Sequence, residues 1–408
     1  MRLALTLFFL GLIVSCKQEK TYTNLIKEDV EILADDAFAG RQVGTEGEIS
    51  AGDYVAERFK ELGLEPAGDV GYFQTFSFKP KTDPHQEIQY TIKDGDSVVS
   101  GRNVIGFMDN GSKNTVVIGA HYDHLGLGAE GSLYRGETQE IHNGADDNAS
   151  GVAVMLDLVQ RLKGNHKKNN YLFIAFSAEE MGLLGSNFFA KNSTHPVEQL
   201  NYMINMDMVG RLKADSTLAV YGTGTSARFK QAINSRNTNF KIIEHESGIG
   251  PSDHTSFYNI NIPVLHFFTG QHEDYHKPSD DSNLLNYEGM EMISEYIFNV
   301  ISELDKAGKL AFKATKNESE EVPRFKVGLG VIPDYLFDGK GMRIDGVTEG
   351  RPGQKAGLQK GDIVVKLGDS SIVDMMSYMR ALSAFKEGDS TTFKATRDTD
   401  TISGTIQF

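Results

Sequence analysis

Apolar residues recur at three- and four-residue spacing in NLIKEDVEILAD (24–35) and ISAGDYVAERFKELG (49–63), so both stretches are predicted helices with one buried face. From about residue 71 the texture changes to alternating and β-branched runs, YFQTFSF (72–78), IQYTI (88–92) and NVIGFM (103–108), which predict strands. In the centre of the chain, continuous apolar runs alternate with amphipathic stretches. TVVIGA (115–120), YLFIAFS (171–177), YMINMDMVG (202–210) and PVLHFF (263–268) read as buried strands; NASGVAVMLDLVQRLK (148–163) and GLLGSNFFAKN (182–192) read as helices. Apolar strands separated by helices imply parallel βαβ units and a three-layer α/β/α sandwich on a mixed, mainly parallel sheet. KLAFKATKNESEEVPR (309–324) is charged and lacks apolar periodicity, which makes it a linker. The last 84 residues, with short strands, Gly-rich turns and one helix, form a separate β-rich domain.

At 408 residues the chain has room for two cores, and its acidic residues outnumber the basic ones, 56 to 41, for a net charge of -15. Nucleic acid is excluded as a partner, because phosphate binding needs a basic face. Met1 and Arg2 precede the apolar run LALTLFFLGLIVS (3–15), too short to span a bilayer and of the length of a signal-peptide core. Cys16, the only cysteine, follows in IVSC (13–16), which resembles the lipobox of bacterial lipoproteins. That resemblance implies a signal peptide over 1–15, a lipid on Cys16, a tether over 16–22 and a place in the cell envelope. Lys17 is no inner-membrane retention signal, which favours the outer membrane. With Cys16 so used, no thiol is left for a disulfide, a zinc site or a nucleophile, and any metal falls to His, Asp and Glu.

In an open α/β sheet functional groups gather beyond the carboxyl ends of the strands. His121 and Asp123 follow the first central strand, Asp146 and Asp147 precede the next helix, and Glu179 and Glu180 follow the second strand. Asp207 lies near the end of the third, and His276 lies beyond the fourth in HEDYHKPSDD (272–281). So many carboxylates in one place repel unless something positive neutralises them, and Arg211 and Lys277 are too few. Mixed imidazole and carboxylate donors favour zinc or another first-row metal. Two histidines and three carboxylates supply two sites if one carboxylate bridges; Asp146 is taken as the bridge and Asp147 as the residue shaping the turn. His124 and His142 read as structural hydrogen-bonders. YGTGTS (221–226) lacks the ending of a phosphate loop and reads as a turn.

GAHYDHLG (119–126), HNGADDNASG (142–151), FSAEEMGLLGS (176–186), INMDMVG (204–210), SDHTSF (252–257) and DYHKPSDD (274–281) resemble, in order, the motifs of metallopeptidase family 28, the co-catalytic di-zinc aminopeptidases. AGRQVGTEGE (39–48) fits the same pattern. The resemblance covers roughly residues 23–305 and implies a peptidase domain over 23–308 with two Zn2+ per chain. His121 and Asp207 would hold one ion, Glu180 and His276 the other, with Asp146 bridging and a cis peptide bond between Asp146 and Asp147. Glu179 falls on the general base, Asp123 on the carboxylate that orients the first histidine, and Asp253 on a motif near the second metal. Ile249 stands where some relatives carry an oxyanion-stabilising tyrosine, a role that could pass to Tyr275. The interval 64–115 is too short for the insert domain of some relatives, while 123–143 is a local insertion able to rim the pocket. Peptides are the implied substrates.

Residues 325–408 resemble a PDZ domain: VGLGV (327–331) fits the carboxylate-binding loop, with Gly328, Leu329, Gly330 and Val331 facing a peptide. PGQKAGLQKGDIVVKLGD (352–369) fits the small helix and next strand, and DMMSYMRALSAFK (374–386) the groove helix. Such a domain takes a C-terminal peptide as an added strand. The expectation is a lipid-anchored zinc aminopeptidase. A glutaminyl-cyclase-like transferase on the same fold and an inactive PDZ-bearing adaptor are the alternatives; the full pair of metal sites and the intact Glu179 argue against them.

Overall fold

The computed structural model describes residues 21–80, 90, 92–93, 95–128, 131–165, 168–316, 326–334, 336–337 and 339–408. The signal-peptide and Cys16 expectations lie outside the described residues, as does most of the strand expected over 88–92. Among the described residues no helix is long and apolar enough to cross a membrane.

The first domain carries strands β1 (Glu65–Pro66), β2 (Phe73–Phe78), β3 (Val99–Met108), β4 (Thr115–His121), β5 (Asn170–Phe176), β6 (Leu200–Met206), β7 (Thr217–Tyr221), β8 (Lys241–His245) and β9 (Val264–Phe268). Its helices are α1 (Tyr22–Leu33), α2 (Glu46–Leu62), α3 (Gly151–Leu162), α4 (Leu184–Lys191), α5 (Phe229–Arg236), α6 (His254–Tyr258) and α7 (Tyr287–Leu304). The sheet runs β1-β3-β5-β4-β6-β9-β7-β8, with β2 paired to β3. Its centre, β5-β4-β6-β9, is parallel, and the antiparallel pairs β3·β5 and β7·β9 flank it. Along β4, Val116, Ile118 and Ala120 enter the core beneath α1, α3 and α7, while Val117 enters the opposite core with Phe189 of α4 and Phe257 of α6. That two-residue alternation between two apolar cores is what makes the domain a three-layer α/β/α sandwich.

Side-chain caps set the helix starts. Thr21 accepts from the Asn24 amide to open α1, inside the expected tether, and Thr45 accepts from Glu48 to open α2. Gly63, at φ 81°, closes α2 in the left-handed region that a side chain disfavours. Helix α3 begins at Gly151 rather than 148, because residues 145–150 form an irregular turn.

The C-terminal domain is a six-stranded sheet of β10 (Val331–Pro333), β11 (Met342–Val347), β12 (Ile363–Leu367), β13 (Ser370–Ser371), β14 (Ser390–Arg397) and β15 (Asp400–Gln407), with α8 (Pro352–Lys355) and α9 (Met375–Leu382). Leu329, Ile344, Val364, Tyr378, Leu382, Phe393 and Ile406 form its separate core. The first half of the expected linker lies along the peptidase domain. Leu310 is buried with its amide on Asn201 Oδ1 (2.7 Å), the Lys313 amide meets the Thr225 carbonyl (2.8 Å), and the Thr315 amide meets the Tyr258 hydroxyl (2.9 Å).

Candidate active site

Four neighbouring parallel strands end on one edge of the sheet and deliver the site. β4 ends at His121, β5 is followed by Glu179 and Glu180, β6 by Asp207, and β9 by the loop that carries His276. The turn before α3 adds Asp146 and Asp147. Ala178, Met208 and His276 all take positive φ (57°, 52° and 55°), so the backbone turns sharply beside each of these groups.

Asp147, not Asp146, stands between the two histidines. Its Oδ1 lies 3.3 Å from His121 Nε2 and its Oδ2 3.2 Å from His276 Nε2. Asp207 Oδ1 is 3.4 Å from His121 Nε2, and Glu180 Oε2 is 3.3 Å from His276 Nε2. Asp146 is turned away: its Oδ1 accepts from the Gly210 amide (2.6 Å) and its Oδ2 faces His272 Nε2 (3.2 Å). The carboxylate that faces both histidines is thus one residue later than the one expected to do so, and the cis peptide bond is Asp147–Asn148 instead of Asp146–Asp147. The physical reason is the turn itself: Asp280 Oδ2 accepts from the amides of both Asp146 and Asp147 (3.0 and 3.1 Å), which fixes the backbone so that successive side chains diverge.

Asp123 does something other than a simple carboxylate-to-histidine contact. Its oxygens accept from the Glu179 and Glu180 amides (3.0 and 3.4 Å), while His121 Nδ1 is nearest the Asp123 main-chain carbonyl (3.2 Å) and 3.7 Å from Oδ1. It thereby locks the loop bearing the two glutamates to the loop bearing His121. His276 Nδ1 donates to the Gly131 carbonyl (2.9 Å), which leaves Nε2 free to face the carboxylates. His124, expected to be structural, contacts Glu180 Oε1 through Nδ1 (2.7 Å) and belongs with Asp147 and Glu180 to one group of candidate metal donors. His121, Asp147 and Asp207 form the other. His142 lies apart, held by Ser132 Oγ (2.8 Å) and the Glu140 carbonyl (2.9 Å) in the expected insertion. Asp253 and His254 are fully buried, with Ser186 beside the Asp253 carboxyl and, among the described residues, no hydrogen-bond partner on either ring nitrogen of His254. Tyr275 stacks on the His276 imidazole, ring centres 3.8 Å apart.

Residues 103–301 match the model of peptidase family M28, and residues 311–407 match that of the PDZ domain. The chain carries an M28 peptidase domain followed by a PDZ domain. It is 27% identical over 205 residues to aminopeptidase YwaD of Bacillus subtilis, an alignment covering 48% of this chain and 42% of that protein. A Zn-dependent exopeptidase from Parabacteroides distasonis superposes with a TM-score of 0.56 at 20% identity, covering 68% of this chain and 97% of that one. A Bacteroides thetaiotaomicron glutaminyl cyclase bound to N-acetylhistamine superposes with a TM-score of 0.54 at 17% identity, covering 68% and 97%. At these identities the solved structures establish a shared fold. The alignments span less than half the length of the first curated relatives, between 42% and 47%.

The electrostatics of the M28 site call for positive charge. Burial works to raise the Asp147 carboxyl, yet its hydrogen bonds to His121 and His276 outweigh that and hold it well below its ordinary value. Burial and Asp147 also oppose ionisation of Glu180, but His276 and His124 draw its pKa down to about 2. Burial opposes a proton on His276, and Glu180 and Asp147 overcome it, lifting the imidazole to about 11. Glu179 goes the other way: burial foremost, with Glu180, Asp207 and Asp253 adding and His121 opposing, raises it well above its ordinary value.

Two residues that support the site carried no role in the sequence reading. Arg41 is 1% exposed and donates to four main-chain carbonyls, those of Tyr122 (2.8 Å), Asn143 (2.7 Å), Gly144 (3.0 Å) and Leu33. Glu48, also buried, accepts from Tyr122 Oη (2.8 Å), Ser177 Oγ (2.7 Å) and the amides of Gly44 and Arg102 (3.1 Å each). Both lie in AGRQVGTEGE; Arg41 ties the end of β4 and the turn before α3 to the N-terminal segment, and Glu48 ties the ends of β4 and β5 to it. A buried arginine has no periodicity of its own to announce it.

In the PDZ domain Leu329 is fully buried and its carbonyl accepts from the Gly353 amide (2.7 Å), so its side chain serves the core. Gly330 has φ 68°, and a Cβ there would fall 2.2 Å from Arg351 Cβ. Gly328 precedes them in the loop, and Val331 opens β10.

Proposed function

We propose that the protein is a zinc-dependent aminopeptidase. The observation that carries this reading is the placing of the two Asp147 oxygens against two different histidines, each of which has a further carboxylate beside it. The donor set fits zinc: two imidazoles and three carboxylates, buried or half-buried, with the proton affinity of His276 pushed up to about 11 by surplus negative charge. Asp147 would hold both ions, His121 and Asp207 one, Glu180 and His276 the other. Two bound zinc ions supply polarisation of the scissile carbonyl and a lowered pKa for the attacking water.

The protein's own groups do the rest. Glu179, whose raised pKa suits a carboxylate that must accept a proton and keep it, takes a proton from the water and passes it to the leaving amine. Asp123, by binding the Glu179 and Glu180 amides, keeps the base beside the metal-facing glutamate. The Tyr275 phenol lies in the field of Asp147, Glu180, Glu179 and Asp207 after burial has already raised its pKa, so it stays protonated and able to donate to a developing oxyanion. Surplus carboxylate charge at the rim attracts a free α-ammonium, which selects chain N-termini. The VGLGV loop of the PDZ domain would take a peptide C-terminus, and a lipid on Cys16 would anchor the protein in the cell envelope.

Digesting a mixed peptide pool with purified protein, then reading by mass spectrometry which end shortens, tests the reading. N-terminal trimming that a chelator abolishes and zinc restores is the expected result. Cyclisation of N-terminal glutamine without hydrolysis would overturn it in favour of the transferase chemistry found on the same fold.

A further inference from the structure

We propose that the PDZ domain is a positioning element of the catalytic centre, clamping the two loops that carry Asp207 and His276. The proposal rests on the metal roles given to those residues above. The two loops are stitched together beneath the PDZ domain. Past Asp207, the Met208 carbonyl accepts from the Thr269 amide (2.9 Å) and hydroxyl (2.7 Å), and Arg211 Nη2 meets Asp274 Oδ2 at 2.6 Å. On its outer side this pair meets the other domain at Lys213 and at Gly270.

Lys213, six residues after Asp207, places Nζ 2.8 Å from Asp345 Oδ2 and 3.9 Å from Asp334 Oδ1. Gly270, six residues before His276, lies under Leu336: a Cβ at Gly270 would come within 2.9 Å of Leu336 Cδ1. Leu336 is only 4% exposed, although it stands outside the apolar core of its own domain. Its position is set from within the PDZ domain, where its amide donates to Asp334 Oδ1 (2.9 Å) and Asp334 binds Arg343 Nε (2.8 Å). Beside the contact, a cleft of about 560 Å³ separates Glu273, Asp274 and Lys277 from Ile332, Val347 and Leu358. The His276 loop is thus held from inside by Gly131 and Leu133 and from outside by Leu336, with open space between. Segments open locally at free energies below that of global unfolding, so the outer contacts bear on how long His276 stays in place.

Leu336→Ala and Lys213→Asp break the clamp in the full-length protein, and Asp345→Lys on top of Lys213→Asp rebuilds the ion pair with its charges exchanged. Hydrogen exchange over residues 269–281 should quicken ~10-fold or more in Leu336→Ala and ~2–5-fold in Lys213→Asp, with the charge swap restoring slow exchange. Competition with a chromogenic chelator should show one zinc bound more weakly in the single variants, and kcat for a dipeptide-sized substrate should fall while KM holds. Exchange over 390–407 monitors folding of the PDZ domain itself. Unchanged loop exchange, or unchanged zinc affinity despite a loosened loop, overturns the proposal. Both readouts are taken without substrate, so a protein that clamps its loop and binds zinc but trims no peptide refutes the aminopeptidase reading alone.

Discussion

Replacing Arg41 by methionine removes a guanidinium that no water can replace in kind. Four main-chain carbonyls lose their donor, two of them on Asn143 and Gly144, just ahead of Asp147, and one on Tyr122, beside His121. The same change deletes the buried cation whose field faces Asp123, Asp147, Asp280 and Glu180. Burial lowers Arg41 only to about 10, so it is charged at neutral pH. An orphaned buried acceptor costs ~1–3 kcal/mol. Partial relaxation brings the expected total to that of breaking a buried ion pair from one side, ~3–5 kcal/mol. For a domain of this size that lowers Tm by on the order of 10 °C. Arg41→Lys keeps the charge but cannot reach all four carbonyls from one ammonium, so it should recover about half of the loss. Thermal unfolding followed by circular dichroism, with and without chelator, measures both variants. A methionine variant within ~1 kcal/mol of the wild type would refute this role of Arg41, and a lysine variant as poor as methionine would show that fork geometry, not charge, is what the loops need.

Asp147→Ala should lose both zinc ions by elemental analysis while Asp146→Ala keeps more of them at lower thermal stability; the reverse order would restore Asp146 as the bridge. Glu179→Gln should retain zinc yet lose kcat by ~10²–10⁴-fold, and metal loss on the scale of Asp147→Ala would sink the base assignment. Ser132→Ala deletes a 2.8 Å bond to His142 and should cost ~0.5–1.5 kcal/mol of local stability, read as faster proteolysis of the 131–143 segment; no change would mean that His142 is held by its backbone contacts alone. Cys16→Ala should shift the protein from membrane to soluble or unprocessed fractions, and normal incorporation of labelled fatty acid into that variant would rule out the lipid anchor.

The central strands and the functional edge were legible because their signals are local. Four apolar runs lie close to β4, β5, β6 and β9; the first three carry their acidic or imidazole groups at or just past their C-terminal ends, and the fourth leads into the loop that carries His276. The choice between Asp146 and Asp147 was not local. It depends on Asp280, more than a hundred residues away, whose carboxylate fixes both amides of the turn. Arg41 and Glu48 escaped functional reading for the same reason, since their partners lie on distant loops. Helix α7 and strands β7 and β8 went unassigned although α7 has clear amphipathic spacing. The expected linker misled because its charged composition hid the anchoring of Leu310, Lys313 and Thr315 by single backbone bonds, a contact mode with no hydrophobic period.

That strap sets where the two domains can be separated or exchanged. By sequence resemblance, residues 311–316 travel with the PDZ domain, while by packing they finish the surface of the peptidase domain over Tyr258 and Thr225. A chimera that joins this M28 domain to another C-terminal module at the end of α7 would strip Leu310 and Phe312 from their seats and leave Tyr258 bare. Moved to residue 317, the junction keeps the strap with the body it closes, so that an exchange of modules removes only what Leu336 and Asp345 give to Gly270 and Lys213.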